Sequence, residues 1–108
     1  MQLLVVILHH EEVLDDVLST LVEYGFPDSV VLQSQTGLGL LERDLPVFAG
    51  VRTLVPGGLD FCRTVFCLLE DDQAEEVLEG LRGLKIPSLP GEAPTTAFLL
   101  PVTAALQL

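Results

Sequence analysis

The chain has 108 residues, the size of one domain spanning 1–108, and 49% of them are apolar, enough to form a hydrophobic core. Sixteen acidic residues stand against five basic ones, a net charge of −11, which argues against nucleic acid or an anionic membrane as a partner. The apolar runs reach only about six residues, far short of the roughly twenty that cross a bilayer, so we expect a cytoplasmic protein that is not membrane-embedded.

The first third of the chain predicts a strand, a helix and a second strand. Residues 3–8 are continuously apolar, which is typical of a buried strand. Residues 10–24 carry apolar side chains at helical spacing, and Gly25 is placed to end this helix as its C′ residue. A second strand is predicted over residues 29–34.

A long connection is predicted after the second strand. Gly37 and Gly39 are expected to break the strand and to open a segment without regular structure that runs to about residue 59. Such a length is unusual in a compact domain, and connections of this kind typically carry function.

The rest of the chain predicts a second strand–helix unit and a closing strand. A strand is expected over 61–69, followed by a helix that Asp71 or Asp72 caps. Asp72 with Glu75 three residues later resembles a capping box. A turn-rich segment over 86–94 then leads to a fourth strand over 96–102. The element order is therefore βαββαβ.

An internal similarity supports this order. Shifting the chain by sixty residues places Val5 on Val65 and Val17 on Val77, so that both a strand and a helix match in one register. Two similar halves of this kind build a ferredoxin-like α+β domain, in which two helices cover one face of a four-stranded antiparallel sheet.

The predicted strands are apolar at nearly every position instead of alternating. A strand that is apolar on both sides normally belongs to a sheet that is buried on both faces. Because two helices cover only one face, we expect other copies of the chain to cover the second face.

The two cysteines, Cys62 and Cys67, fall in the predicted third strand. A spacing of five places them on opposite faces, so they can neither bridge each other nor share one metal ion. We interpret them as reduced, buried residues of a cytoplasmic protein.

With this order, the sequence resembles the PII-like (nitrogen regulatory protein P-II-like) family of signalling proteins. The resemblance covers most of the chain and depends on motifs that lie in the same order along it. These motifs are the first strand and acidic helix (3–25), Gly37-Leu38-Gly39, Asp44-Leu45-Pro46-Val47-Phe48-Ala49-Gly50, the second strand and acidic helix (64–83), and Phe98-Leu99-Leu100-Pro101-Val102.

The resemblance implies a regulatory homotrimer with the sheets facing inward, and no enzymatic activity. Members of the family bind small effectors in clefts between subunits, where the loop after the second strand meets the turn before the fourth. The best-known members bind ATP or ADP and 2-oxoglutarate, and their loop then docks on a transporter or an enzyme. In this chain the docking loop corresponds to residues 40–60.

The chain departs from those members at the residues that hold the effector. Their Gly-Asp-Gly-Lys turn is replaced by residues 89–95, which contain an acid and no lysine. Leu41 replaces their glutamine, no arginine follows the last strand, and the only tyrosine, Tyr24, lies outside the loop. Since a triphosphate needs several donors, we expect a ligand other than the usual pair, whose identity stays open.

The expected ligand-binding residues have alternative structural interpretations. The glycine pair can form an anion-binding nest or simply a tight exit from the strand. The two arginines can hold an anion or form exposed pairs with neighbouring acids, and the later residues can line a cleft or form an ordinary turn. The candidate residues are Gly37, Leu38, Gly39, Arg43, Arg52, Gly91, Glu92 and Thr95.

A metal-binding or cation-responsive trimer of the same fold is the alternative function. His9 and His10, followed by Glu11 and Glu12, have the composition of a metal site. The same residues are also typical of the polar first turn of a helix. No nucleophile or carboxylate pair occurs in a recognisable catalytic setting, so an enzyme is the least favoured class.

Overall fold

The computed structural model of the protein describes residues 1–48, 50, 61–86 and 93–108. These residues form four strands, three α-helices and one short 3-10 helix. In chain order the elements are β1 (Gln2–Leu8), α1 (Glu11–Glu23), β2 (Val30–Gln33), α2 (Gly37–Asp44), the 3-10 helix (Pro46–Phe48), β3 (Arg63–Leu69), α3 (Asp71–Arg82) and β4 (Thr96–Pro101).

The four strands form one antiparallel sheet in the order β2-β3-β1-β4. One face of the sheet packs against α1 and α3, and the shared core is entirely apolar. Leu4 and Leu8 of β1 and Leu69 of β3 are among its fully buried side chains. The structure is therefore α+β and compatible with the predicted ferredoxin-like fold.

Gly25 ends α1 as the sequence predicts. Its φ of 93° lies in the left-handed region, which glycine adopts without the strain of a Cβ atom. The amide of Gly25 donates to the Val22 carbonyl at 3.0 Å, and the amide of Phe26 donates to the Leu21 carbonyl at 2.8 Å. This pair of bonds is a Schellman motif, which satisfies carbonyl groups that the helix end would leave open.

The start of α3 lies one or two residues earlier than predicted, because Glu70 is the N-cap residue and not Asp71 or Asp72. The capping box joins Glu70 to Gln73, whose side-chain oxygen accepts a hydrogen bond from the Glu70 amide at 3.2 Å. The predicted box between Asp72 and Glu75 is wrong, because the helix begins at Asp71 and both of those residues already lie inside it.

An ion pair joins the start of α3 to the start of β1. The ammonium group of Met1 donates to the Asp71 carboxylate at 2.8 Å. This hydrogen bond lowers the pKa of the Asp71 carboxyl and raises the pKa of the ammonium. The pair therefore forms in full between their usual values of 3.8 and 8.0. It is lost as pH falls through the lowered carboxyl pKa or rises through the raised ammonium pKa.

The sixty-residue repeat holds for the helices but not for the strands. Val17 and Val77 are both buried in the core, as the shift predicts. Val65 is also in the core, whereas Val5 lies on the opposite face of the sheet. The reason is that two residues separate β1 from α1 but only Glu70 separates β3 from α3, so the strands are offset by one.

The connection predicted after β2 is wrong in its first part, because residues 37–44 form α2 and residues 46–48 form the 3-10 helix. Thr36 starts α2, since its side-chain oxygen accepts a hydrogen bond from the Gly39 amide at 2.9 Å. A threonine cap satisfies one open amide of the first turn and outweighs two glycines that are poor helix formers.

Among the described residues, no helix is long and apolar enough to cross a membrane.

Gly80 of α3 lies directly against the Tyr24 ring at the end of α1. A Cβ atom on residue 80 would lie 2.6 Å from the ring atom Cε2, so the ring has to move if alanine replaces Gly80. We expect Gly80→Ala alone to change stability little, because lost ring packing offsets the gain in helix propensity of about 1 kcal/mol. In a Tyr24→Ala background, the same change should stabilise the protein by about that amount.

Urea unfolding of the four proteins of this double-mutant cycle measures how much Gly80→Ala changes the free energy of unfolding in each background. Equal effects of Gly80→Ala in both backgrounds would show that the ring and residue 80 do not interact.

Candidate functional site

Three of the four strands bring candidate residues to one end of the sheet. Gln33 and Leu8, the last residues of β2 and β1, both pair with Arg63, the first residue of β3. Thr96, the first residue of β4, pairs with Ile7 of β1. We call this end, where β1 and β2 finish and β3 and β4 begin, the site end.

Along the chain, the described candidate residues follow or precede strands at the site end. His9 and His10 follow β1, and Thr95 directly precedes β4. Gly37, Leu38, Gly39 and Arg43 lie in α2, which follows β2 after three residues. The other candidates, Arg52, Gly91 and Glu92, lie outside the described residues.

The α2 residues and Thr95 leave the sheet at opposite edges, because β2 and β4 are its two outer strands. Three strand spacings separate these edges, about 14 Å. A small ligand that contacts both groups therefore has to lie across the end of the sheet, or it receives one group from another copy of the chain.

Gly37 and Gly39 belong to the first turn of α2, where both keep negative φ angles. A nest needs a residue in the left-handed region, so neither glycine forms one here. The tight strand exit is also wrong, because β2 ends at Gln33 and the helix begins only after Thr36.

Arg43 forms an exposed pair with its neighbour. Its Nε atom donates to the Asp44 carboxylate at 3.1 Å, and both side chains are more than half exposed. A pair of this kind stabilises a protein by about 0–1 kcal/mol and remains available for exchange with another anion.

Thr95 borders an apolar cavity of about 330 Å³ on the helical side of the sheet. Arg82 is the one charged residue among those that line it in the described part of the chain, and its guanidinium is paired with Glu79. The remaining lining residues are Val6, Val17, Leu78, Leu81, Leu84, Ile86 and Ala97.

The second face of the sheet, opposite the two helices, is apolar in all four strands. We call it the open face, and the strand pairing groups its residues into three rows. Most of its outer side chains are strongly exposed, with Val30 at 54%, Leu100 at 46% and Phe98 at 37%. The rows are Leu68-Leu3-Leu100, Val30-Phe66-Val5-Phe98 and Leu32-Thr64-Ile7-Thr96.

A chain of hydrogen bonds at the site end joins β2 to β3. The Thr64 hydroxyl donates to Ser34, and the Ser34 hydroxyl donates to the Cys62 sulfur, each at 3.1 Å. The sequence analysis did not single out this network, although the pairing of a short β2 with β3 makes such contacts expected.

Both cysteines are free and buried. Cys67 lies in β3, whereas Cys62 directly precedes that strand, so the predicted placement of both in one strand is wrong for Cys62. Cys67 is in the core between the sheet and the helices, and burial raises the pKa of its thiol. A protonated, buried thiol is a structural residue and not a nucleophile.

Among the residues that the structure describes, no group of three or more histidine, cysteine, aspartate or glutamate side chains is placed to hold a metal ion. His9 and His10 are adjacent at the end of β1, with partly buried side chains.

Comparison with known proteins finds no protein family that matches the chain and no curated protein with a significantly similar sequence.

The Thr36 cap offers a direct test of how α2 is held. Replacing Thr36 with alanine removes the hydrogen bond to Gly39 and should destabilise α2 locally by about 1 kcal/mol. The unfolding midpoint of the sheet should not change, because α2 contributes no buried residue to the core. Hydrogen exchange of the α2 amides, measured beside a urea titration, separates the two effects.

Thr36→Ser is the matched control, because it keeps the accepting oxygen. An unchanged exchange rate in Thr36→Ala would show that the hydrogen bond does not hold the helix.

Proposed function

We propose that the chain is a regulatory subunit of the PII-like type, which assembles into a homotrimer and binds a small effector near the site end. The segment that follows β2, residues 40–60, is the part we expect to dock on a regulated transporter or enzyme. The usual ATP and 2-oxoglutarate are not the expected effectors, for the sequence reasons given above. The proposal assigns no catalytic step to the chain.

The observation that carries this proposal is the open face. Its three rows contain nine aliphatic or aromatic residues and two threonines, and no charged residue. Monomeric proteins rarely expose a continuous apolar patch of this kind, and such patches mark contact surfaces.

The charge distribution favours other copies of the chain as the cover. The chain carries sixteen acidic residues, and those of α1 and α3 are exposed on the helices. Contact between copies through these helices would bring like charges together, whereas contact through the open face brings none together. The uncharged face is therefore the favourable direction for self-association.

The positions of α2 and Thr95 along the chain support the proposed effector site. α2 and Thr95 leave opposite edges of the same end, and assembly through the open face would place the end of one sheet beside that of another. A cleft between copies would then receive residues from both. The metal-responsive alternative has no comparable support among the described residues of one subunit.

The oligomeric state tests the first part of the proposal. We expect light scattering to give the mass of three 11.7 kDa chains for the wild-type protein. Phe98→Glu should dissociate it, because it places a charge on the open face. Val22→Glu is the matched control, since Val22 is an exposed apolar residue on α1.

Circular dichroism of each variant checks that the subunit remains folded. A wild-type protein that is monomeric at micromolar concentration would remove the assembly and the clefts with it.

The identity of the effector is tested by thermal shift with nucleotides, 2-oxoglutarate, bicarbonate and divalent metals. A ligand at one hundred times its Kd stabilises the folded state by about 2.7 kcal/mol, which raises Tm by about ten degrees in a domain of this size. We expect a small organic or inorganic anion to do so in the wild-type protein.

A His9→Ala, His10→Ala variant should keep this response. Stabilisation by zinc or copper alone, lost in that variant, would instead establish the metal-responsive alternative.

A further inference from the structure

Arg63 is a partly buried arginine near the middle of the site end. It is the first residue of β3, an inner strand, and it pairs with Gln33 of β2 on one side and with Leu8 of β1 on the other. Because side chains alternate along a strand, Arg63 lies on the same face as Val65, which belongs to the core. It therefore lies on the helical side of the sheet, where the core meets the site end.

Two contacts hold the guanidinium group of Arg63 in place. Its carbon Cζ lies 4.4 Å from the centre of the Phe61 ring, and Phe61 itself packs against the core. The Nη1 atom donates to the Cys62 carbonyl at 2.9 Å. Since a guanidinium has five N–H donors, this one hydrogen bond leaves most of them for another acceptor.

Among the described residues, Arg63 has no acidic partner within ion-pair distance. Arg43 and Arg82, by contrast, are exposed, and each pairs with a carboxylate of its own helix. A charge that is partly removed from water is usually compensated by an opposite charge. An added anion is therefore more favourable at Arg63 than at either of the other two arginines.

The two groups of candidate residues lie on either side of Arg63. One strand spacing, about 5 Å, separates β3 from β2, which leads to α2. Two spacings, about 10 Å, separate β3 from β4, which Thr95 precedes. An effector that lies across the end of the sheet would therefore pass close to the guanidinium group.

The chemistry of this group suits an oxyanion. Two parallel N–H donors of an arginine match two oxygens of a carboxylate or a phosphate. Because Phe61 already orders the side chain, less conformational entropy is lost when an anion binds. The net charge of −11 repels anions from the molecule as a whole, so binding one requires a specific positive group of this kind.

We propose that Arg63 binds the negatively charged group of the effector, a carboxylate or a phosphate, on the helical side of the site end. The inference rests on the proposed function, and it adds the chemical class of the effector and the residue that recognises its charge.

NMR spectroscopy of the arginine Nε–H groups locates the anion directly. The full chain is labelled with 15N-arginine, and inorganic phosphate or succinate replaces chloride at constant ionic strength. The Arg63 signal is assigned by its loss in Arg63→Lys. We expect this signal to shift in a saturable way with at least one of the two anions, whereas the Arg82 signal stays in place. Phosphate and succinate, compared in this way, identify which of the two oxyanions the site prefers.

Calorimetric titration of the same anion measures the contribution of Arg63 to binding. We expect Arg63→Gln to raise the Kd by at least about tenfold, because charge-assisted hydrogen bonds are lost. Arg63→Lys, which keeps the charge but not the paired donors, should have an intermediate Kd. Arg82→Gln is the matched control, since it removes the same charge from an exposed arginine, and it should leave the Kd unchanged. Circular dichroism checks that each variant is folded before anion is added.

The outcomes separate this inference from the proposal on which it rests. An Arg63→Gln variant that binds the anion like the wild-type protein, or an equal loss in Arg82→Gln, would overturn the role of Arg63 alone. A wild-type protein that binds neither phosphate nor succinate would also overturn it. If, in addition, no ligand of the thermal-shift panel stabilised the wild-type protein, the proposed effector site would be wrong as well.

Discussion

The structure depends on a sheet that is apolar on both faces, of which the described long helices, α1 and α3, cover one. Alternate residues of β1 show the constraint: Leu4, Val6 and Leu8 are buried under the helices, whereas Leu3 and Ile7 on the open face stay partly exposed. Val5, in the middle of the open face, is 6% exposed. Removing apolar surface from water stabilises a protein by about 25 cal/mol per Å². Covering the exposed part of the open face would therefore add to the stability of the folded state. The open face also accounts for an apolar content of 49% in a chain as acidic as this one.

Charge and hydrophobicity are divided between the two sides of the molecule. Acidic residues begin both long helices, with Glu11 and Glu12 in α1 and Asp71 and Asp72 in α3, where they complement the helix dipoles. The same acids make the helical side repel a second copy. Assembly through the open face would leave the acidic helices outside, where their charge would oppose growth beyond a closed ring.

The sequence predicted the two long helices because apolar side chains recur at helical spacing, and Gly25 marked the end of α1 correctly. It predicted the four strands because each is a short apolar run. It missed α2, since two glycines suggested a loop and the Thr36 cap that overrides them depends on one local hydrogen bond. The strand offset between the two halves was also missed, because Val5 and Val65 are chemically identical while their opposite orientations depend on linker length. Of the candidate site, the described residues follow β1 or β2 or directly precede β4 along the chain, and their part in binding stays a prediction. Its glycine nest required backbone angles that the helix start does not contain.

The proposed threefold symmetry determines how many contact surfaces each subunit needs. If the open faces of two copies packed only on each other, the interface would be the same patch on both sides, and such an interface produces a twofold dimer. A ring of three requires two different patches on each subunit, one for each neighbour. The open face is one such patch. A threefold assembly needs a second patch of different shape on the same subunit, whereas a twofold assembly needs the open face alone.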